Sequence, residues 1–281
     1  MGQRNYDAIL LDLDGTLLDE QDTIHPRTLA TLREAAARGV RVMVATGRSE
    51  LATLPVLAQL GIEHPAVVFN GAGVWCPRAG RLIEERVLSE RTLARAVEFG
   101  ASGGYMTVVM CAGAKYVTQP RDEHESSALK DMLGLVHVTP SELLERRALR
   151  VTFFSQSHAT SDEFAAQIER AIAQPLYTTH FPLACLPHHR TSRMLVADIH
   201  PPCKGKAEAL RWLQEEHGVD PARVVAVGDA GNDVPMMRAA GLGVAMGNAY
   251  PDAMAAADRV IGANDTDAIA RLVEELFLSS N

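Results

Sequence analysis

The feature that most constrains the fold is an alternation of short apolar runs with helical patterns near both ends of the chain. Continuous apolar runs occur at 8–11, 40–45 and 66–69, and amphipathic segments separate them. The same alternation returns between about 194 and 278. Continuous apolar runs are typical of strands that are buried on both faces. Their alternation with helices through short links therefore predicts a parallel α/β sheet.

The middle of the chain lacks this alternation. Between 83 and 192, short strands mix with helices, and Gly103, Gly104 and Gly113 interrupt them. This pattern favours a separate α+β module inserted into the first fold. We therefore predict a Rossmann-like, doubly wound parallel sheet formed by 1–82 and 193–281, with an inserted α+β domain at 83–192.

Composition excludes several classes of protein. The chain has 35 acidic and 27 basic residues, a net charge of −8, which argues against a nucleic-acid partner because such binding needs a basic surface. No apolar stretch approaches the ~18 residues of a membrane span, and no secretory signal pattern is visible. The four cysteines form no CxxC pair, so neither a disulfide framework nor a zinc site is expected. We expect a cytoplasmic monomer or homodimer with no membrane partner.

Polar side chains follow three of the predicted strands. They are Asp12, Asp14, Thr46, Arg48, Asp229, Asn232 and Asp233. Because the carboxyl ends of parallel strands share one edge of a sheet, these loops can converge although they are far apart in sequence. Their carboxylates suit Mg²⁺, which would neutralise a phosphate and hold it in line with a nucleophile. Gly15 and Thr16 add backbone donors, and Lys204 adds a cation at the start of a helix.

Each motif also has a simpler interpretation. A DxD sequence occurs by chance and in other metal motifs, such as that of glycosyltransferases. A TGR sequence can be ordinary loop punctuation, and a lysine at a helix start is commonly solvated. The DxDGT motif fixes four residues, so chance produces it in only about a few per thousand chains of this length. The ordered set of motifs is therefore the specific signal.

Six segments together resemble the haloacid dehalogenase-like (HAD) hydrolases. They are DLDGTLL at 12–18, ATGR at 45–48, NGA at 70–72, KGKAEAL at 204–210, VGDAGNDVPMM at 227–237 and AMGNA at 245–249. Within that superfamily the chain resembles the Cof-type phosphatases, whose large cap is inserted between the second and third motifs. The segment 83–192 lies where that cap is expected. The tripeptide Pro-Pro-Cys before Lys204 matches the family less closely.

The resemblance implies a Mg²⁺-dependent phosphatase that acts on a small phosphorylated metabolite, such as a sugar phosphate or a phosphorylated cofactor. Asp12 would be the nucleophile that forms an aspartyl-phosphate, and Asp14 the general acid and base. Thr46 and Lys204 would bind the phosphoryl oxygens. The implied metal ligands are Asp12, Asp14 (through its carbonyl), Asp229 and Asp233. The implied phosphate- or substrate-binding residues are Gly15, Thr46, Gly47, Arg48, Asn70, Lys204, Asn232 and Asn248.

Other functions remain open at this point. A pathway-specific sugar-phosphate phosphatase or a phosphomutase would share the fold and the motifs. A non-catalytic binding module is disfavoured because the acidic residues and a lysine are all present. Two basic groups in the inserted segment are expected to be solvated loops. They are His188, His189, Arg190 and Arg193, and Lys115, Arg121 and His124.

Overall fold

A computed structural model describes residues 5–130 and 132–279 of the chain. The chain divides into two compact units. The first, which we call the core unit, comprises residues up to 48, 53–84 and those from 204 onwards. The second, the inserted unit, comprises 49–52 and 85–203. Residues 193–203 thus group with the inserted unit, whereas the sequence pattern placed them in the core.

The described residues form fourteen strands and ten α-helices. The strands are β1 (Ala8–Leu11), β2 (Arg41–Val44), β3 (Ala66–Val68), β4 (Gly73–Cys76), β5 (Arg81–Glu85), β6 (Met106–Cys111), β7 (Ala114–Val117), β8 (Leu135–His137), β9 (Arg150–Ser155), β10 (Tyr177–Pro182), β11 (Leu195–His200), β12 (Val224–Gly228), β13 (Leu242–Ala245) and β14 (Arg259–Val260). The helices are α1 (Pro26–Ala37), α2 (Glu50–Leu60), α3 (Glu90–Gly103), α4 (Glu123–Ala128), α5 (Pro140–Leu143), α6 (Ser161–Ile172), α7 (Glu208–His217), α8 (Val234–Ala239), α9 (Pro251–Ala256) and α10 (Ala268–Val273). None of the helices in these ranges combines the length and apolar character that crossing a membrane requires.

The core unit contains a parallel sheet of five strands in the order β14-β13-β12-β1-β2. Strand β1 lies between β12 and β2, and Leu11 at its end lies opposite Val227 of β12 and Val44 of β2. The residues that follow these three strands therefore start from one edge of the sheet. The prediction of a parallel α/β core is confirmed.

Both faces of this sheet are buried. Side chains alternate along a strand, so Ile9 and Leu11 pack with Leu32 of α1, while Leu10 packs with Trp212 of α7 on the opposite face. Helices cover both faces, which explains why the strands are continuous apolar runs.

The strand formed by the apolar run at 66–69 ends one residue earlier than the run itself. Strand β3 stops at Val68 and pairs with β4 in a separate three-stranded sheet, and a single bridge from Ala45 to Val67 joins it to the parallel sheet. Phe69 and Asn70 have φ of 52° and 49°, in the left-handed region. Because a left-handed backbone is not extended, the strand cannot continue through these two residues.

The inserted unit contains a sheet of six strands in the order β10-β11-β9-β6-β7-β8. Phe164 and Ile168 of α6 pack in one hydrophobic cluster with Phe153 of β9 and Ile199 of β11. The sequence pattern assigned the strand at 194–199 to the parallel core. Strand β11 instead runs antiparallel between β10 and β9, which places it in the inserted unit.

Candidate active site

Three buried carboxylates meet at the carboxyl edge of the parallel sheet. Asp12 directly follows β1, and Asp229 and Asp233 follow the neighbouring strand β12. Carboxylate oxygens of the three residues lie within 4.8 Å of one another. Asp233 is fixed by its own loop, since its Oδ2 accepts hydrogen bonds of 3.0 Å from the backbone N–H groups of Asp229 and Ala230. The structure therefore brings three of the expected metal ligands together.

A lysine neutralises part of this cluster. Lys206 Nζ lies 2.6 Å from Asp12 Oδ1 and 2.6 Å from Asp233 Oδ1. The side chain is only 2% exposed, and burial disfavours its charge, but Asp12 and Asp233 hold its pKa well above the ordinary value for lysine. Lys206 is therefore an ammonium ion. It uses two of its three N–H donors on carboxylates, which leaves one donor.

The position of Lys206 corrects the sequence-based assignment, which gave this role to Lys204. Lys204 is exposed, and its backbone N–H donates to Glu208 Oε1 over 3.0 Å. Lys206 lies in a buried 3₁₀ turn, Gly205–Ala207, that leads into α7. The segment KGK contains two lysines, and helical spacing does not distinguish them, because Lys204 also lies three and four positions before the buried residues Ala207 and Glu208.

The acidic cluster carries the electrostatic signature of a cation site. Burial and the neighbouring Asp233 raise the pKa of Asp12 well above its usual range, although Lys206 partly opposes this. The same two causes raise the pKa of Asp229 to about 6, against a hydrogen bond of 3.0 Å that Thr16 Oγ1 donates to Asp229 Oδ1. Carboxylates forced this close together repel each other, and a bound cation relieves the repulsion. Because every donor is oxygen, the residues fit a hard divalent cation such as Mg²⁺.

Asp14 has a different environment from the three buried carboxylates. Its side chain is 48% exposed, and both of its oxygens accept hydrogen bonds from Arg48 Nε, at 3.0 and 3.1 Å. The guanidinium of Arg48 also pairs with Asp22. The carboxyl group of Asp14 is therefore open to solvent and held in place by Arg48.

The loops after β2, β3 and β12 are joined by hydrogen bonds. Thr46 Oγ1 accepts from the backbone N–H of Arg48 (3.1 Å), and the Thr46 carbonyl accepts from the backbone N–H of Asn70 (3.0 Å). Asn232 Nδ2 then donates to Asn70 Oδ1 over 3.1 Å. Gly47 allows this close approach, because a Cβ there would lie 3.1 Å from the Asn70 amide. These residues, all expected to bind phosphate or substrate, form one connected network.

Gly15 and Asn248 complete the edge of the site. Gly15 has φ of 77°, and a Cβ at this position would lie 2.4 Å from Asp229 Oδ2. Asn248 Nδ2 donates to the Gly15 carbonyl over 2.8 Å. The loop after β1 therefore lies so close to Asp229 that only glycine fits at position 15.

The two basic groups of the inserted unit differ from the solvated loops that were expected. Lys115 lies in strand β7 and is only 5% exposed, and His189 is also buried. The other members of the two groups are exposed: His188, Arg190, Arg193, Arg121 and His124. A buried lysine in a strand needs an explanation that a loop lysine does not.

Known proteins are similar in sequence to this chain over nearly its whole length. A family model described as haloacid dehalogenase-like hydrolase matches residues 9–273. The 5-amino-6-(5-phospho-D-ribitylamino)uracil phosphatase YitU of Bacillus subtilis is 30% identical over 273 residues, covering 96% of this chain and 97% of that protein. Pyridoxal phosphate phosphatase YbhA of Escherichia coli is 30% identical over 279 residues, covering 95% of this chain and 97% of that protein.

A solved structure shows the same fold. The sugar phosphatase BT4131, of HAD subclass IIB, superimposes with a TM-score of 0.78 at 23% identity, covering 96% of this chain and 98% of that one. The family match spans the acidic cluster, Lys206 and the inserted unit alike. The chain belongs to the haloacid dehalogenase-like hydrolases.

Proposed function

We propose that this protein is a Mg²⁺-dependent phosphatase that hydrolyses a small phosphorylated metabolite, a sugar phosphate or a phosphorylated cofactor, through an aspartyl-phosphate on Asp12. The observation that carries the proposal is the contact of 2.6 Å between Lys206 and Asp12 inside a buried acidic cluster. The names of the relatives support a phosphorylated small-molecule substrate.

Asp12 is the nucleophile. The residue is 3% exposed, and Lys206 fixes the orientation of its carboxylate at the end of β1. A carboxylate oxygen of Asp12 forms a bond to phosphorus as the bond from phosphorus to the ester oxygen breaks. Covalent catalysis of this kind replaces one difficult displacement with two easier ones.

Asp14 transfers the protons. In the first step its carboxyl group donates a proton to the departing ester oxygen. In the second step its carboxylate removes a proton from the water that attacks the aspartyl-phosphate, which releases inorganic phosphate and restores Asp12. Its exposed position supports this role, because protons must reach and leave the group in each cycle.

The phosphoryl group is held by hydrogen bonds and charge. The remaining N–H of Lys206 and the hydroxyl of Thr46 donate to phosphoryl oxygens, and Asn70, which accepts a hydrogen bond from Asn232, supports the loop that carries Thr46. Asp12, Asp229 and the carbonyl of Asp14 would hold the Mg²⁺, with Asp233 orienting Lys206. When bound, the ion supplies charge neutralisation for the phosphoryl oxygens. Phosphoryl transfer depends mainly on such positioning and charge, so few residues are needed.

The test is phosphate release from a panel of phosphorylated metabolites, with and without Mg²⁺, by the wild type and by Asp12→Asn. Asparagine keeps the side-chain volume and an oxygen that can accept from Lys206, so the variant should fold. Glu20→Gln, which neutralises an exposed acid of the same loop, is the matched control. We expect Mg²⁺-dependent multiple turnover in the wild type and the control, and none in Asp12→Asn.

Two results would reject the proposal. The first is the absence of phosphate release from every compound by folded, Mg²⁺-loaded protein. The second is substantial turnover by folded Asp12→Asn, which would assign the nucleophile elsewhere. Release of phosphate over many cycles also distinguishes a phosphatase from a phosphomutase, which returns the phosphoryl group to a product.

A further inference from the structure

The connection between β14 and α10 contains an asparagine that the sequence motifs did not include. Asn264 is partly buried, and its Nδ2 donates a hydrogen bond of 2.7 Å to the carbonyl of Leu18. Leu18 ends the turn 12–18, which opens the loop after β1 and contains both Asp12 and Asp14. All of these residues lie in the core unit. A side chain 246 positions away in sequence therefore holds the end of the turn that carries the proposed nucleophile.

Asn264 also supports a second contact to the same turn. Its backbone N–H donates to Asn248 Oδ1 over 3.0 Å, and Asn248 Nδ2 donates to the Gly15 carbonyl over 2.8 Å. Because the oxygen of the Asn248 amide accepts from Asn264, the NH₂ group of that amide is directed at Gly15. Asn264 thus holds the turn at two carbonyls, at Leu18 directly and at Gly15 through Asn248.

The turn itself is closed by its own backbone. Leu17 N–H donates to the Asp12 carbonyl over 3.3 Å, and Leu18 N–H donates to the Leu13 carbonyl over 2.9 Å. These bonds set the shape of the turn, whereas the two asparagines tie it to the loops after β13 and β14. Neither of those strands adjoins β1 in the sheet. Asp14 lies inside the turn, so the positions of its carbonyl and its carboxyl group follow from where the turn is held.

The connection that carries Asn264 has separate hydrogen bonds of its own. Thr266 Oγ1 donates to the Ala263 carbonyl over 2.6 Å and accepts from the backbone N–H of Ala268 over 3.3 Å. Gly247 N–H donates to the Gly262 carbonyl over 3.0 Å. None of these three bonds involves a residue of the turn 12–18. The support of the connection and its link to the turn can therefore be removed separately.

From these contacts we infer that Asn264 is a positioning residue, which keeps Asp14 in place by holding the turn at Leu18 and Gly15. It acts through the backbone of the turn and not on the substrate. The inference rests on the proposed function in one respect, which is the role of Asp14 in transferring protons.

Two substitutions remove the link to the turn. Asn264→Ala deletes the donor to Leu18 and keeps the backbone N–H that holds Asn248. Asn264→Asp keeps the shape of the side chain, but a carboxylate has no N–H to donate and repels the Leu18 carbonyl. Thr266→Ala is the matched control, because it deletes side-chain hydrogen bonds from the same connection and none to the turn.

The first readout is hydrogen–deuterium exchange, which does not depend on activity. Mass spectrometry of peptides that contain Leu17 and Leu18 reports how often the turn opens. We expect exchange of these amides to be about three- to tenfold faster in both Asn264 variants, the change that loss of one ordinary hydrogen bond produces. Thr266→Ala should exchange at the wild-type rate in these peptides.

The second readout is steady-state kinetics on a substrate found with the metabolite panel. We expect kcat to fall by about ten- to a hundredfold in the Asn264 variants, because small misplacements of a catalytic group slow the chemical steps strongly. KM should change by less than about threefold, since Thr46 and Lys206, which we propose to hold the phosphoryl group, lie outside the turn. Thr266→Ala should stay within about twofold of the wild type in both constants.

Three results would overturn the inference. They are unchanged exchange of Leu17 and Leu18 in both Asn264 variants, faster exchange with unchanged kcat, and equal effects of Thr266→Ala and Asn264→Ala. Failure of the proposed function has a different signature. A wild-type protein that releases no phosphate, while both Asn264 variants still speed exchange in the turn, would lack the proposed activity but keep the positioning of Asp14 by Asn264.

Discussion

Lys206 Nζ lies 2.6 Å from Asp12 Oδ1, and both side chains are almost completely buried. Asp233 Oδ1 lies at the same distance from the other side of the ammonium. With Asp229, the cluster contains three carboxylates and one ammonium, a formal sum of −2. With Lys206 present, the cluster keeps a net charge of −2, which a divalent cation can balance. Lys206 also fixes the carboxylate of Asp12, which we propose as the nucleophile.

The contact between Lys206 and Asp12 predicts a large effect of substituting Lys206 and a small effect of substituting Lys204, two positions earlier. Lys206→Met leaves Asp12 and Asp233 buried without their cation, so we expect a loss of stability of about 3–5 kcal/mol. Phosphate release should fall by about 10²–10³ or more, as when one donor to an oxyanion is removed. Urea unfolding and phosphate release measure the two effects.

Lys204→Met is the matched control for Lys206→Met. Its side chain is exposed, so the substitution should change stability by less than about 0.5 kcal/mol and activity by little. The reverse result, with Lys204→Met inactive and Lys206→Met active, would show that the ammonium in the cluster has no part in catalysis.

Local patterns predicted much of the core unit. The run before Asp12 forms β1, and the polar residues after β1, β2 and β12 lie at one edge of the sheet, because strand direction alone determines which ends of parallel strands share an edge. Asp12, Asp229 and Asp233 were therefore brought together as expected. Their catalytic and metal-binding roles stay predictions.

Two errors have a common physical origin. The run at 194–199 has the pattern of a strand, but its partners β9 and β10 are distant in sequence, and an apolar run does not identify its partners. The assignment of Lys204 in place of Lys206 likewise lacked tertiary information, because nothing in the segment KGK itself shows that Lys206 is the buried lysine. Phe69 has a left-handed backbone, which such side chains seldom adopt, so the apolar run did not indicate that the strand ends at Val68.

Asp14 and Arg48 provide a second prediction. Asp14→Asn removes the group that gives and takes protons while keeping its shape and an acceptor for Arg48. Phosphate release should fall by about 10²–10⁴, the contribution typical of general acid–base catalysis. Single-turnover kinetics should show that both formation and hydrolysis of the aspartyl-phosphate are slower.

Asp22→Asn is the control for this substitution, since Asp22 is the other carboxylate that pairs with Arg48. Loss of one exposed ion pair should have a small effect, within about threefold in rate. Equal losses in Asp14→Asn and Asp22→Asn would indicate that both act only by holding Arg48.

The close approach of Gly15 to Asp229 gives a third prediction. Gly15→Ala places a methyl group 2.4 Å from Asp229 Oδ2 at a residue with φ of 77°, so it should displace that carboxylate as well as strain the backbone. Gly80→Ala has φ of 62° and meets nothing within 4 Å, so it carries the backbone strain alone, about 1–2 kcal/mol. Gly15→Ala should therefore lose more stability and should also lose Mg²⁺ affinity, measured by the Mg²⁺ dependence of activity. A Mg²⁺ dependence equal to that of Gly80→Ala would contradict the proposed role of Asp229.

His64 gives a prediction for the pH dependence of stability. Its Nδ1 lies 3.1 Å from the backbone nitrogen and 3.0 Å from the carbonyl oxygen of Val42. Burial lowers the pKa of His64 below its ordinary value of 6.5, against a hydrogen bond with the Val42 backbone that raises it. The folded protein therefore binds fewer protons at this site than the unfolded chain does between the lowered pKa and 6.5.

The sign follows from proton linkage. Where the unfolded state binds more protons, the free energy of unfolding rises with pH, so the contribution of neutral His64 is complete above about pH 6.5 and is lost as the pH falls below it. We expect the free energy of unfolding of His64→Gln to fall less steeply between pH 7 and 5 than that of the wild type. The two slopes should differ by the equivalent of less than one bound proton. Urea unfolding at a series of pH values measures this difference. Parallel curves for the two proteins would mean that His64 has the same pKa in the folded and unfolded states.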